Sequence, residues 1–122
     1  MSKIIIKGGN TLSGEVSVHG AKNSVLPILA ATVLCDGKNV IHNCPHLSDV
    51  DASINILRHL GCECSLKNET AVINTTAIKC SHIPDELMRE MRSSVIFLGA
   101  ILGKCKNAVI SAPGGCELGP RP

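Results

Sequence analysis

A thiol and a guanidinium lie five positions apart near the end of the 122-residue chain, in a segment rich in glycine and proline. Cys116 and Arg121 belong to residues 113–122, which also contain three glycines and three prolines. Glycine adopts backbone angles closed to other residues and proline stiffens the chain, so this segment can hold a thiol in place outside any helix or strand. We interpret it as a reactive loop for small-molecule chemistry. The alternative is a turn-rich connection with an incidental cysteine.

Two further cations occupy equivalent positions of an internal repeat with a period of about 70 residues. Residues 22–45 match residues 92–113: each copy has a cation, small polar residues, an apolar helix, a turn and a β-branched strand ending at a proline. Lys22 and Arg92 thus fall at predicted helix starts, where unpaired N–H groups and the helix dipole attract anions. We expect an anion site there, with solvated surface charges as the alternative. Neighbouring polar residues could supply capping oxygens or extra donors at these turns: Asn23, Ser24, Ser93 and Ser94.

The hydrophobic periodicity of the sequence predicts a mixed α/β fold. An amphipathic helix is expected from Ser48, as its N-cap, to Leu60, and Gly61 should end it. One apolar stripe runs through residues 84–104, and it leaves open whether this stretch is one helix or two. The other predicted elements are a helix over 25–34, a hairpin of 62–66 and 71–74, and strands over 3–7, 14–19, 39–43 and 107–111.

Charge and composition argue against several classes of function. The net charge is only +2 and the chain has one Phe and no Tyr or Trp, so it lacks both the basic surface and the stacking platform for nucleic acid. The longest apolar stretch, residues 25–35, is about half a membrane span. The N-terminus has no apolar segment long enough for a signal peptide. We therefore expect a cytoplasmic protein that binds neither nucleic acid nor membrane.

The seven cysteines are expected to be reduced thiols, because their number is odd and their positions are scattered. Six His and Cys residues close in sequence could suggest zinc, but they contain no C-x-x-C pair. Cys62 and Cys64 alternate along a predicted strand, so one face of that strand accounts for both. We expect no metal and no cofactor. The six residues are His42, Cys44, His46, His59, Cys62 and Cys64.

Several short motifs, in their order and spacing, form a highly specific set. They are Gly20-Ala21-Lys22-Asn23, Asp49-Val50-Asp51, Met91-Arg92-Ser93-Ser94, and Pro113-Gly114-Gly115-Cys116 followed by Gly119-x-Arg121-Pro122. On these motifs, and over essentially its whole length, the chain resembles the N-terminal part of the UDP-N-acetylglucosamine 1-carboxyvinyltransferases, a family of enolpyruvyl transferases.

The resemblance implies a reaction and a set of site residues. The enolpyruvyl group of phosphoenolpyruvate would move to the 3′-hydroxyl of UDP-N-acetylglucosamine with release of phosphate, the first committed step of peptidoglycan precursor synthesis. Cell shape and division would depend on this step. Cys116 would be the general acid that protonates the methylene carbon, and the target of the epoxide antibiotic fosfomycin. Phosphoenolpyruvate would be bound by Lys22, Asn23, Cys116 and Arg121, and the nucleotide sugar by Asn23, Arg92, Arg121 and Pro122.

The resemblance also implies a two-domain fold of which this chain holds a part. Each domain of the family has three strand–helix units, arranged as an inside-out α/β barrel, and the domains close over the substrates. The strands of residues 1–21 would belong to the other domain and end at a hinge, and residues 22–122 would form an incomplete substrate-binding domain. The chain looks truncated, so we expect it to need the missing C-terminal part and to be inactive alone.

Two alternatives to this function remain open at the level of sequence. A transferase similar to 5-enolpyruvylshikimate-3-phosphate synthase would share the fold and the lysine at the first helix start, although Asn23 and Cys116 argue against it. The chain could also be a non-catalytic remnant that binds an anion or a partner.

Overall fold

Four α-helices and a three-stranded sheet make up the part of the chain that a computed structural model describes, residues 3–79 and 81–112. In chain order they are α1 (Lys22–Ala31), β1 (Lys38–Ile41), α2 (Ser48–Leu60), β2 (Glu63–Lys67), β3 (Thr70–Asn74), α3 (Asp85–Arg89) and α4 (Ile96–Cys105). Short 3-10 turns occupy Thr32–Leu34 and Arg92–Val95. The predicted mixed α/β class is confirmed. Within the described ranges, no helix is long and apolar enough to cross a membrane.

The sheet is antiparallel, with β3 between β1 and β2. The predicted hairpin is found, and its turn places Asn68 and Glu69 at positive φ, 47° and 55°. The Cys44 N–H donates to the Glu69 carbonyl oxygen over 2.8 Å, which ties the turn to the segment before α2. Ala71 and Ile73 of β3 are fully buried, because this face of the sheet covers the core.

The core lies between the inner face of the sheet and three helices, α1, α2 and α4. Its largest fully buried side chain is Phe97 of α4. Leu29 of α1 and Leu57 of α2 are equally inaccessible, because α1 packs against both α2 and α4. This packing brings the first residues of α1 close to the first turn of α2, and the candidate site is built there.

Helix α2 has the predicted bounds, but its start is not capped as predicted. Ser48 is the first helical residue rather than the N-cap, and no side chain caps the helix. The N–H groups of Val50 and Asp51 donate instead to the carbonyl of Leu47, so the backbone closes the first turn by itself. Asp49 and Asp51 in this turn stabilise the helix through its dipole.

Gly61 ends α2 in the left-handed conformation, at φ 106°, as predicted. A Cβ here would lie 2.5 Å from the carbonyl oxygen of Ala77. We expect Gly61→Ala to lower the free energy of unfolding by about 1–3 kcal/mol from backbone strain, and further from this clash. Urea denaturation measures the loss. Gly37→Ala is the matched control, since Gly37 has φ 101° but open space around a Cβ; equal losses in both variants would rule out the clash.

Three predicted strands do not form in the described residues. Residues 3–19 contain no strand, and their apolar side chains face solvent, with Val16 89% and Val18 94% exposed. Their alternation suits a strand, but a strand needs a neighbour for its N–H and C=O groups, and none of the described residues supplies one. In residues 107–111 only Val109 pairs, through an isolated parallel bridge to His82.

The stretch 84–104 is two helices separated by a break. Helix α3 ends at Arg89, and Met91 has extended angles, φ −146° and ψ 148°. The Ser94 hydroxyl donates to the Met88 carbonyl over 2.8 Å, so it satisfies one of the last acceptors of α3. The apolar stripe continues across the break because Met88, Met91 and Phe97 all reach the core.

Candidate active site

Lys22, Asn23 and Arg92 line one cleft with a volume of about 440 Å³. The cleft lies where the start of α1, the first turn of α2 and the 3-10 turn before α4 meet. The equivalent cations of the two repeats therefore face the same space. The remaining lining residues are Leu26, Asp49, Ser93, Val95 and Ile96.

Lys22 is the first residue of α1, as the repeat predicted. Ala21 is extended, and its carbonyl accepts the N–H groups of Ser24 and Val25, both over 3.0 Å. Gly20 lies so close to the backbone of Asn43 that a Cβ would collide with its carbonyl oxygen, which fixes the path into the helix. The geometry of a helix start leaves the N–H groups of the first residues without an acceptor inside the helix.

The Lys22 ammonium forms an ion pair with Asp49 across the two helices. Lys22 Nζ is 3.0 Å from Asp49 Oδ2, and the side chains are 51% and 26% exposed. The sequence assigned Lys22 to the site but not Asp49, which it offered only as part of a motif. The Asp49-Val50-Asp51 motif was the available signal.

Arg92 is presented by the 3-10 turn at the break after α3. The buried side chain of Met91 anchors this turn, since its sulfur accepts from the Ser93 hydroxyl over 3.8 Å and lies 3.5 Å from the Ser53 hydroxyl oxygen of α2. The Ser53 hydroxyl itself donates to the Asp49 carbonyl over 2.9 Å. The turn is thus held against α2, the helix that also carries Asp49.

The predicted capping of the two helix starts is wrong. No side chain forms a cap hydrogen bond at either of them. The serine hydroxyls of the second start donate elsewhere, Ser93 to the Met91 sulfur and Ser94 to the Met88 carbonyl. The physical reason is the break before Arg92, which leaves acceptors of its own close to these hydroxyls.

The charges of the cleft favour an anion. Lys22 and Arg92 bring two cations and Asp49 one carboxylate, and the start of α1 adds a partial positive charge. The guanidinium of Arg92 is planar and can bind phosphate through two parallel hydrogen bonds. Leu26 and Ile96 give one side of the cleft an apolar lining. This arrangement can hold a phosphorylated small molecule with an apolar portion.

The remaining predicted site residues, Cys116, Arg121 and Pro122, lie outside the described residues.

The described cysteines differ strongly in environment. Burial raises the pKa of Cys62 and of Cys64 to about 11, with Cys64 adding to the effect on Cys62 and Arg58 opposing it at Cys64. Burial also raises the pKa of Cys44, with a smaller contribution from Asp51. Among the described residues, no group of three or more His, Cys, Asp or Glu side chains could hold a metal.

These pKa values predict slow alkylation of Cys62 and Cys64 at pH 8, because the thiolate is the reactive form and both pKa values lie well above that pH. Their rates should rise steadily toward pH 11. Mass spectrometry after iodoacetamide treatment measures them, with the exposed Cys35 as internal reference. Labelling of Cys62 and Cys64 as fast as Cys35 at pH 8 would contradict these pKa values.

Comparison with known proteins identifies the class. Residues 6–122 match the family described as EPSP synthase (3-phosphoshikimate 1-carboxyvinyltransferase). The match covers nearly the whole chain, which therefore belongs to this family.

Individual relatives give a finer result. The chain is 56% identical over its whole length to UDP-N-acetylglucosamine 1-carboxyvinyltransferase 2 of Caldanaerobacter subterraneus subsp. tengcongensis, and 46% identical to the UDP-N-acetylglucosamine 1-carboxyvinyltransferase of Desulfatibacillum aliphaticivorans. It spans 29% of the length of each. The enolpyruvyl transferase NikO from Streptomyces tendae superposes on 78% of this chain with a TM-score of 0.70 and 28% identity, and the match covers 22% of NikO. The predicted resemblance and fold are confirmed.

Proposed function

We propose that this chain supplies one side of the active site of an enzyme that transfers the enolpyruvyl group of phosphoenolpyruvate to the 3′-hydroxyl of UDP-N-acetylglucosamine. The observation that carries the proposal is the cleft itself, where Lys22, Asn23 and Arg92 from two repeats meet. The names of the relatives support this acceptor. Because the chain spans 29% of their length, the activity belongs to the product of the complete gene.

The reaction is an addition followed by an elimination. In the addition, the sugar 3′-oxygen forms a bond to the C2 carbon of phosphoenolpyruvate and loses its proton to a base, while the Cys116 thiol gives a proton to the C3 carbon. In the elimination, the bond from C2 to the phosphate oxygen breaks and C3 loses a proton, which restores the double bond. Phosphate leaves, and the sugar carries an enolpyruvyl ether.

The binding roles follow from the chemistry of the side chains. Lys22 binds the phosphate of phosphoenolpyruvate by a charge-assisted hydrogen bond, and Asn23 donates a neutral one to substrate. Arg121 binds anionic groups of both substrates, and Arg92 places the nucleotide sugar together with Pro122. The positive charge of the cleft supports the roles of Lys22 and Arg92.

The proposal extends to the cellular setting. The enzyme acts in the cytoplasm, in the synthesis of peptidoglycan precursors, and thereby serves cell shape and division. Fosfomycin inactivates it by alkylating Cys116. Residues 1–21 belong to a second domain, which closes over the cleft together with segments beyond residue 122.

Phosphate release by the complete gene product tests the reaction and its acceptor. We expect release from phosphoenolpyruvate only when UDP-N-acetylglucosamine is added. Shikimate 3-phosphate is the discriminating control, because the family description names the transferase that uses it. Release only with shikimate 3-phosphate would move the function to that enzyme, and release with neither would favour a non-catalytic binding protein.

A further inference from the structure

Asp49 is a carboxylate inside a cleft whose other charged groups favour anions. Its side chain is 26% exposed, and its Oδ2 is 3.0 Å from Lys22 Nζ. A carboxylate close to an anion site repels the ligand, so its position there needs a physical reason.

The helix dipoles supply such a reason. Lys22 is the first residue of α1, where the positive end of the dipole repels its ammonium. A half-exposed lysine on a flexible stem, without a partner, would extend away from the helix end into solvent. Asp49 lies in the first turn of α2, where the dipole stabilises a carboxylate. The carboxylate of Asp49, which the dipole of α2 stabilises, therefore holds the ammonium of Lys22, which the dipole of α1 repels.

We propose that Asp49 is a positioning residue that holds the Lys22 ammonium in the cleft. An ammonium has three donors, so two remain for the phosphate of an anionic substrate while the third stays on Asp49. Asp49 acts through Lys22 and does not touch the reacting atoms. The inference deepens the proposed function and rests on it for the identity of the substrate.

The pair differs from the ion pair of Asp85 and Arg89, which joins residues four apart on one exposed helix surface. Lys22 and Asp49 come from different helices that pack on each other, and both line the cleft that contains Asn23 and Arg92. The geometry of the pair is therefore coupled to the geometry of the site.

The test is Asp49→Asn in the complete gene product, because this variant keeps the side-chain size and removes the charge. We expect kcat to fall about 10- to 100-fold, since a misplaced substrate-binding group costs turnover. Affinity for inorganic phosphate, measured by phosphorus NMR titration, should change much less than kcat, because the loss of the repulsive carboxylate offsets the looser placement of Lys22. A variant with a merely damaged fold would instead lose both.

Two comparisons isolate the role. Asp51→Asn, in the same helical turn but outside the cleft, should change kcat less than about twofold, because it removes only the same dipole interaction. In a Lys22→Ala background, Asp49→Asn should cause no further loss of kcat. Unchanged kcat in Asp49→Asn, fully additive losses in the double variant, or a parallel loss of phosphate binding would each overturn the proposal.

A chemical readout separates this proposal from the proposed function. Acetic anhydride should modify Lys22 faster in Asp49→Asn than in the wild type, with the exposed Lys38 as internal reference. If the wild type released no phosphate with either acceptor, the proposed function would fail, and this labelling would still test the positioning. Equal labelling of Lys22 in both proteins would overturn it.

Discussion

Cys116→Ala in the complete gene product is expected to lower kcat by about 10²–10⁴-fold, the usual contribution of a general acid. The thiol is proposed to give the proton that reaches the C3 carbon of phosphoenolpyruvate, and alanine has no proton to give. Phosphate release in the presence of UDP-N-acetylglucosamine measures the loss. Cys35→Ala is the matched control, since Cys35 is an exposed cysteine outside the cleft.

The variant Cys116→Asp distinguishes the two proposed roles of Cys116, as the general acid and as the target of fosfomycin. Cys116→Asp should retain turnover, because a carboxylic acid can also give a proton, and it should resist fosfomycin, whose proposed target is the thiol. Full turnover by Cys116→Ala, or inactivation of Cys116→Asp by fosfomycin as fast as the wild type, would show that Cys116 has neither role.

Lys22→Ala should lower kcat/KM for phosphoenolpyruvate by about 10²–10³-fold, because it removes the charged donor that is proposed to bind the phosphate. Stability should change by less than about 1 kcal/mol, since the ion pair with Asp49 is half-exposed and screened by solvent. Steady-state kinetics and urea denaturation measure the two effects.

Lys38→Ala is the control for Lys22→Ala, because it removes an exposed lysine of β1 that is not part of the cleft. It should leave kcat/KM unchanged. A loss in Lys22→Ala below about tenfold would be too small for a phosphate-binding lysine, since a charged hydrogen bond contributes about 1.5–3 kcal/mol. An equal loss in both lysine variants would point to a general effect of charge.

The elements that the sequence predicted well are those stabilised by contacts near in sequence. Helix α2 shows its bounds in its own pattern, because Val50, Ile54 and Leu57 recur on one face and Gly61 ends it. The turn at Asn68 and Glu69 is likewise local, since two antiparallel strands flank it directly. The strands predicted over 3–7 and 14–19 do not form in the described residues. An alternating pattern predicts which side chains share a face, but it does not predict the neighbouring strand that must pair with the backbone.

Those site residues that lie in the internal repeat could be predicted from the sequence. The residue that joins the site through contacts between distant segments could not. Lys22 and Arg92 could be assigned because each begins a copy of the repeat. Asp49 was not predicted as a site residue, because its role depends on the packing of α1 against α2, which brings its carboxylate close to Lys22. The break at Met91 also involves tertiary contacts, in particular the contact of its sulfur with the Ser53 hydroxyl of α2.

The central claim is that the cleft of Lys22, Asn23 and Arg92 binds the two substrates. A crystal structure of the Cys116→Ala complete gene product with phosphoenolpyruvate and UDP-N-acetylglucosamine tests it most directly. We predict the phosphate of phosphoenolpyruvate within hydrogen-bond distance of Lys22 Nζ, and the nucleotide sugar against Asn23 and Arg92. Substrates bound at a place that none of these three side chains touches, with the cleft empty, would contradict it.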